Sequence, residues 1–238
     1  MTESIFDPSR LAGLIDHTLL RSDASISDIE RHCREGIEYG FCGVCIHPCH
    51  IRLACEVISS NAERSQGKAL PRICSVVAFP FGATHVRVIR AEAEQAIMDG
   101  VEELDMPVNL AAALGRDRST LTDHINALVE PAKRAGVVTK LILEAAALDV
   151  ETKIYLCRLA SDLGVDFVKT STGFHPAGGA TVEDVGLLYE HRGRCKVKAA
   201  GGIGDLETAL AMIRAGAERL GTSRSVKIVE GLDGGGSI

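Results

Sequence analysis

The feature that most restricts the fold is a unit that recurs about every 30 residues: a short apolar, β-branched run, a turn, then a segment with helical periodicity. Eight such runs are found, at Ile15–Thr18, Gly43–Ile46, Arg72–Ala78, Glu103–Met106, Val138–Glu144, Phe167–Thr170, Lys196–Ala199 and Arg219–Gly221. Between them lie amphipathic segments such as His85–Asp99, Thr120–Ala135, Glu151–Leu163 and Leu206–Ala215, whose apolar positions recur three and four apart. Near-continuous apolar strands alternating with helices predict a parallel sheet covered on both faces, and eight units predict its closure into a (β/α)₈ TIM barrel. A doubly wound open sheet is disfavoured because no GxGxxG turn follows the first strand.

Local signals agree with this α/β reading. Thr181 followed by Asp184 has the spacing of a capping box, and Asp205 is placed to cap the helix after Gly204. Gly100, Gly136, Gly164 and Gly216 are placed to close helices before the next strand. With 238 residues, one barrel occupies the whole chain as a single domain, ending in a Gly-rich tail from about residue 231 to 238 that is expected to be mobile.

Several function classes are set aside by composition. The formal charge of −6 and the lack of a concentrated Lys/Arg face argue against nucleic acid as a partner. The N-terminal stretch has no basic region followed by an apolar one, and no run approaches membrane-spanning length, so a cytoplasmic protein without a membrane partner is expected. The eight cysteines sit mostly in apolar strand-like or helix-like segments and read as free thiols. Cys42 and Cys45 form a CxxC, yet no second ligand pair lies at zinc-finger spacing, and no HxH or HExxH occurs, so no metal is expected.

Lysine is rare inside strands because burying an ammonium is costly. Here Lys140, Lys169 and Lys198 each occupy an apolar strand, separated by 169 − 140 = 29 and 198 − 169 = 29 residues. The spacing predicts equivalent places in successive repeats, converging at the C-terminal mouth where barrel enzymes keep their chemistry. Asp105 on the fourth strand and Asp16 on the first would join them. An ordinary lysine is protonated at neutral pH and cannot attack a carbonyl, whereas a neighbouring ammonium disfavours its charged form. Crowded lysines therefore point to Schiff-base chemistry, one amine attacking and another tuning it, without saying which does which.

The motifs IDHTLL, GVCIHP, DMPVN, KLILE, DFVKTSTGF followed by GGAT, VKAAGGI and RLGTS occur in that order. Together they resemble the deoxyribose-phosphate aldolase family over nearly the whole chain. The resemblance implies that Lys169 is the Schiff-base nucleophile, that Lys198 lowers its pKa, and that Asp105 moves protons through a water. It implies supporting roles for Asp16 and Lys140 in a buried ion network, and a homodimer or homotetramer. The implied reaction is reversible cleavage of 2-deoxyribose 5-phosphate to acetaldehyde and glyceraldehyde 3-phosphate, with the imine as electron sink and no cofactor.

The phosphosugar's phosphate is expected on the Gly-rich turns after the seventh and eighth strands, at Gly201, Gly202, Gly221, Ser223 and Arg224, completed by Gly173. Thr18 and Thr170 are candidates to bind sugar hydroxyls or hold Asp105. Four positions depart from the family's pattern: Ala145 stands where Thr is general, His47 where a small or polar residue is common, Pro107 where valine is usual, and Arg224 in place of a phosphate-loop serine. They fall around substrate recognition and leave the lysines untouched.

Overall fold

The computed structural model describes residues 7–233. Eight strands form β1 (Ile15–Leu19), β2 (Gly43–Ile46), β3 (Arg72–Val76), β4 (Glu103–Pro107), β5 (Val138–Ile142), β6 (Phe167–Lys169), β7 (Lys196–Ala200) and β8 (Arg219–Thr222). They pair in parallel in chain order, and β1 pairs with β8 to close the barrel. The eight expected strands are all present, and helices follow them on the outside.

Two strands stop two residues earlier than their apolar runs suggest. β3 ends at Val76 rather than Ala78, and β5 at Ile142 rather than Glu144. Ala78 and Glu144 have φ of +51° and +57°, in the left-handed region that an extended strand cannot contain. The apolar composition continues past the turn, so composition alone could not mark it.

Helix ends follow the sequence signals with one exception. Asp205 accepts from Thr208 N at 2.8 Å, and Gly136 and Gly164 take left-handed conformations at helix C-termini. At Thr181 only half a capping box forms. Its hydroxyl accepts from Asp184 N at 3.0 Å, but the Asp184 carboxylate pairs with Lys153 at 2.6 Å. The reciprocal box occurs instead at Ser25 and Asp28. The final helix runs Ser225–Asp233 and so includes positions 231–233 of the expected Gly-rich tail; the remainder of that segment lies outside the described residues.

Strand alternation separates two cores. Outward-facing Ile15, Val44, Ile46, Ile73, Leu104, Leu141, Val168, Val197 and Leu220 join the helices in one large apolar cluster. Inside the barrel, a small cluster of Leu20, Cys45, Cys74 and Val76 lies on the β1–β3 side. Most of the rest of the interior is charged, with Ile142, Phe167 and Ala200 among the uncharged residues that share the inward face.

Candidate active site

Seven ionisable side chains fill most of the barrel's interior. Asp16 comes from β1, Glu103 and Asp105 from β4, Lys140 from β5, Lys169 from β6, Lys198 from β7 and Arg219 from β8. All are buried, and Lys169 at 4% exposure is the one lysine of the three that reaches a cavity. Each strand delivers its residue inward by the period-two alternation, while the flanking apolar residues anchor the strand against the helices.

Asp105 is the hub. Its Oδ1 accepts from Lys140 Nζ at 2.7 Å, and its Oδ2 accepts from both Lys169 Nζ at 2.8 Å and Lys198 Nζ at 2.9 Å. Lys198 also donates to Asp16. Arg219 Nη1 donates to Asp16 Oδ1 at 2.6 Å and to Glu103 Oε2 at 2.9 Å, and Lys140 pairs with Glu103 at 2.6 Å. Glu103 and Arg219 are therefore members of the network that the sequence reading missed.

The lysines are not at three equivalent positions. Lys169 and Lys198 are direct register partners, but the residue opposite Lys169 on β5 is Ile142, and Lys140 faces Phe167. From β5 to β6 the register repeat is 169 − 142 = 27 residues, against 198 − 169 = 29 from β6 to β7. The difference of two keeps Lys140 on the inward face but sets it deeper, nearer the strand starts. It supports Asp105 from below and does not line the cavity wall.

Burial alone would raise the Asp105 pKa, but the ammoniums of Lys140, Lys169 and Lys198 hold it well below the usual carboxylate range. Asp16 and Glu103 are likewise held low, against burial, by their lysine and arginine partners. Burial would lower Lys198 and Lys140, yet the carboxylates beside them raise both. The expectation of crowded ammoniums is thus modified: carboxylates interleave the cations and keep Lys140 and Lys198 protonated.

Above the network opens a cavity of about 700 Å³. Lys169 stands at its base, and Gly173, Gly201, Gly202, Gly221, Ser223 and Arg224, the residues expected to hold phosphate, all contribute to its wall. The β6 and β7 turns touch: a Cβ at Gly179 would lie 2.3 Å from the Gly201 carbonyl oxygen, which instead accepts from Ala180 N at 3.0 Å. Gly221 faces inward, and a Cβ there would stand 3.0 Å from Lys198 Cε, so its bareness makes room for that lysine.

The threonines divide. Thr18 lines the cavity and donates to the Asp16 carbonyl at 2.9 Å, so it does not hold Asp105. Thr170 faces away: its Oγ1 donates to the Ala200 carbonyl and accepts from Ala200 N, each at 3.0 Å, tying β6 to β7. A different threonine shapes the rim. Thr172 donates through N and Oγ1 to Glu144, at 3.1 and 2.6 Å, which fixes the turn after β6 to the left-handed turn after β5. Among the four departures from the family's pattern, Arg224 belongs to the cavity wall, and Ala145, His47 and Pro107 do not. Ala145 is fully buried, and His47 Nε2 meets the Leu20 carbonyl at 2.9 Å.

Among the described residues, two groups bring three possible metal-donor atoms together: His17, His32 and Glu35, and Asp16, Cys74 and Glu103. Neither includes the Cys42–Cys45 pair, which lies on and beside β2. Both carboxylates of the second group already bind Lys140 or Arg219. The eight cysteines are all free thiols, five of them buried.

The comparisons with known proteins agree with this geometry. A model of the DeoC/LacD family of aldolases matches residues 10–231. A deoxyribose-phosphate aldolase of Thermococcus gammatolerans is 46% identical over 222 residues, covering 93% of this chain and 96% of the relative. Deoxyribose-phosphate aldolase 1 of Bacillus licheniformis is 43% identical, covering 94% and 96%. The tetrameric deoxyribose phosphate aldolase structure from Aeropyrum pernix superposes with a TM-score of 0.84 at 33% identity, covering 95% of this chain and 92% of that one. With a family model spanning nearly the whole barrel and relatives matched along almost their full length, the chain belongs to the DeoC/LacD family of aldolases.

Proposed function

We propose that the protein reversibly cleaves 2-deoxy-D-ribose 5-phosphate to acetaldehyde and D-glyceraldehyde 3-phosphate, with Lys169 as the Schiff-base amine. The observation that carries this reading is one carboxylate oxygen, Asp105 Oδ2, touching Lys169 and Lys198 at once. Neutral Lys169 attacks the aldehyde carbon of the open-chain sugar, and the carbinolamine loses water to give an iminium. A base removes the C3 hydroxyl proton, the C2–C3 bond breaks, and its electron pair enters the iminium to form an enamine. Protonation of the enamine carbon and addition of water then release acetaldehyde and the free amine.

In this scheme Asp105 is the proton carrier, acting through a water, because its carboxylate is ionised and adjacent to the nitrogen that changes state. Lys198, held protonated between Asp16 and Asp105, is the fixed positive charge beside the reacting amine. Lys140, Glu103 and Arg219 hold these groups in place from beneath. The phosphate would lie against the turns carrying Gly201, Gly202, Ser223 and Arg224, where Gly-rich backbone and two following helix starts favour an anion. Among the described residues no helix is long and apolar enough to cross a membrane. A cytoplasmic homodimer or homotetramer fits this reading.

The test is incubation with acetaldehyde and borohydride, followed by mapping of the reduced adduct by mass spectrometry. A single modification at Lys169 is expected, and an unmodified Lys169 rules the mechanism out. A second reading keeps the imine but changes the acceptor aldehyde, favoured by Arg224 in the cavity wall. An adduct at Lys169 without turnover of deoxyribose 5-phosphate would select it.

A further inference from the structure

A second cavity, of about 480 Å³, opens at the opposite end of the barrel. Its wall is built from the first residues of five strands, with Arg72, Phe167, Lys196 and Arg219 among them, joined by Arg194 and Asp166 from the preceding turns. Four of its side chains are cationic and one is a carboxylate, in a chain whose 32 acidic residues outnumber 26 basic ones. The strand-start end of a barrel ordinarily serves stability, and two of the cations do so here. Arg72 and Arg219 both pair with Glu103.

The other two have no such role. Arg194 donates to the Ser161 carbonyl at 3.2 Å, and Lys196 approaches the Phe167 ring at 5.8 Å; among the described residues neither meets a carboxylate within ion-pair distance. Asp166, the one carboxylate of the wall, is held in place by Thr139, whose N and Oγ1 donate to its Oδ2 at 2.8 and 3.0 Å, and it offsets only part of the positive charge. Phe167 lies between Lys196 and Arg219, whose charge is 5.4 Å from the same ring, and so keeps two positive groups around one wall. Cations gathered around one concave opening raise the local positive potential, although Arg72, Arg194 and Lys196 are solvent-exposed, and guanidinium forks suit phosphate oxygens.

We propose that this lower cavity binds a small multivalent phosphate anion, with Arg194 and Lys196 as its principal ligands and Arg72 at the rim. The site is separate from the substrate cavity, with the seven-residue ion network between them.

The experiment is isothermal titration with pyrophosphate on the native protein and two variants, R194A/K196A and R224A, each first shown by thermal melting to be folded. The R194A/K196A variant is expected to lose at least tenfold in affinity for one binding event, while R224A retains that event and affects only binding at the upper cavity. The affinity of the lower event should fall as sodium chloride is raised. Identical titrations of the native protein and R194A/K196A would overturn the proposal. So would abolition of all binding by R224A alone. If the double variant fails to fold, R194Q/K196Q replaces it with the same expected loss.

Discussion

The two sides of the barrel interior are built from equally buried residues but opposite chemistry. On the β1–β3 side the wall is Leu20, Cys45, Cys74 and Val76. Across it, β4 to β8 with Asp16 supply four cations and three carboxylates. Burial pushes the Cys45 thiol up to about 11, so it is a neutral, volume-filling group at pH 7. The charged side cannot be exchanged so freely, since each ion's solvation has been replaced by a specific partner. One wall fills space, and the other holds paired charges.

Substitutions should reveal this asymmetry. Lys169→Ala is expected to lower kcat/KM by at least about 10⁴-fold, as loss of a covalent nucleophile does, and to abolish the borohydride adduct. Substantial residual cleavage would break the division between the walls. Asp105→Asn should cost about 10²–10⁴-fold in kcat, read by steady-state kinetics on folded protein. Glu103→Gln leaves Lys140 and Arg219 short of one carboxylate and should cost about 3–5 kcal/mol in chemical denaturation. On the quiet wall, Cys45→Ala should cost about 1 kcal/mol and leave kcat within about threefold. A larger kinetic effect would give that wall a part in the chemistry.

The charged side also sets the pH range of stability, sharpened by His32, which lies on the helix Ile26–Tyr39 and packs against His17 of β1. Burial, with His17 beside it, holds His32 well below its ordinary value. The unfolded chain therefore takes up a proton that the native protein refuses, and stability present above about pH 6.5 is lost below it. Asp16, Glu103 and Asp105 are depressed carboxylates, so their contribution is present above about pH 4 and lost as pH falls further. Lys140 and Lys198 are raised, so theirs is present below about pH 10.4 and lost as pH rises through their folded values. Melting temperature should decline in two steps on acidification, and His32→Gln should remove the first. A flat profile from pH 7 to 4 would contradict this account.

The barrel was legible because each strand is an apolar run followed by a helical period, a pattern that survives errors of two residues at the ends. Lys169, Lys198 and Asp105 were legible because charges within apolar strands are anomalous. Glu103 was hidden as a charge at a strand start, although its i, i+2 spacing from Asp105 puts both on one face. The same alternation turns Thr170 away from Lys169, a signal that could have removed it from the candidates. Arg219 needed the closed register, since only pairing of β7 with β8 and of β8 with β1 brings it near Asp16. Lys140's depth needed the two-residue difference between repeats, which no spacing of lysines reveals.

The contact of Asp16 with Lys198 spans 182 residues, and that with Arg219 spans 203. During synthesis, Asp16 leaves the ribosome long before either partner. Until β7 and β8 arrive, this carboxylate lacks the partners that replace its hydration in the closed barrel. Assembly of the charged interior is thereby tied to the arrival of β7 and β8, and a nascent barrel lacking those two strands has no finished ion network.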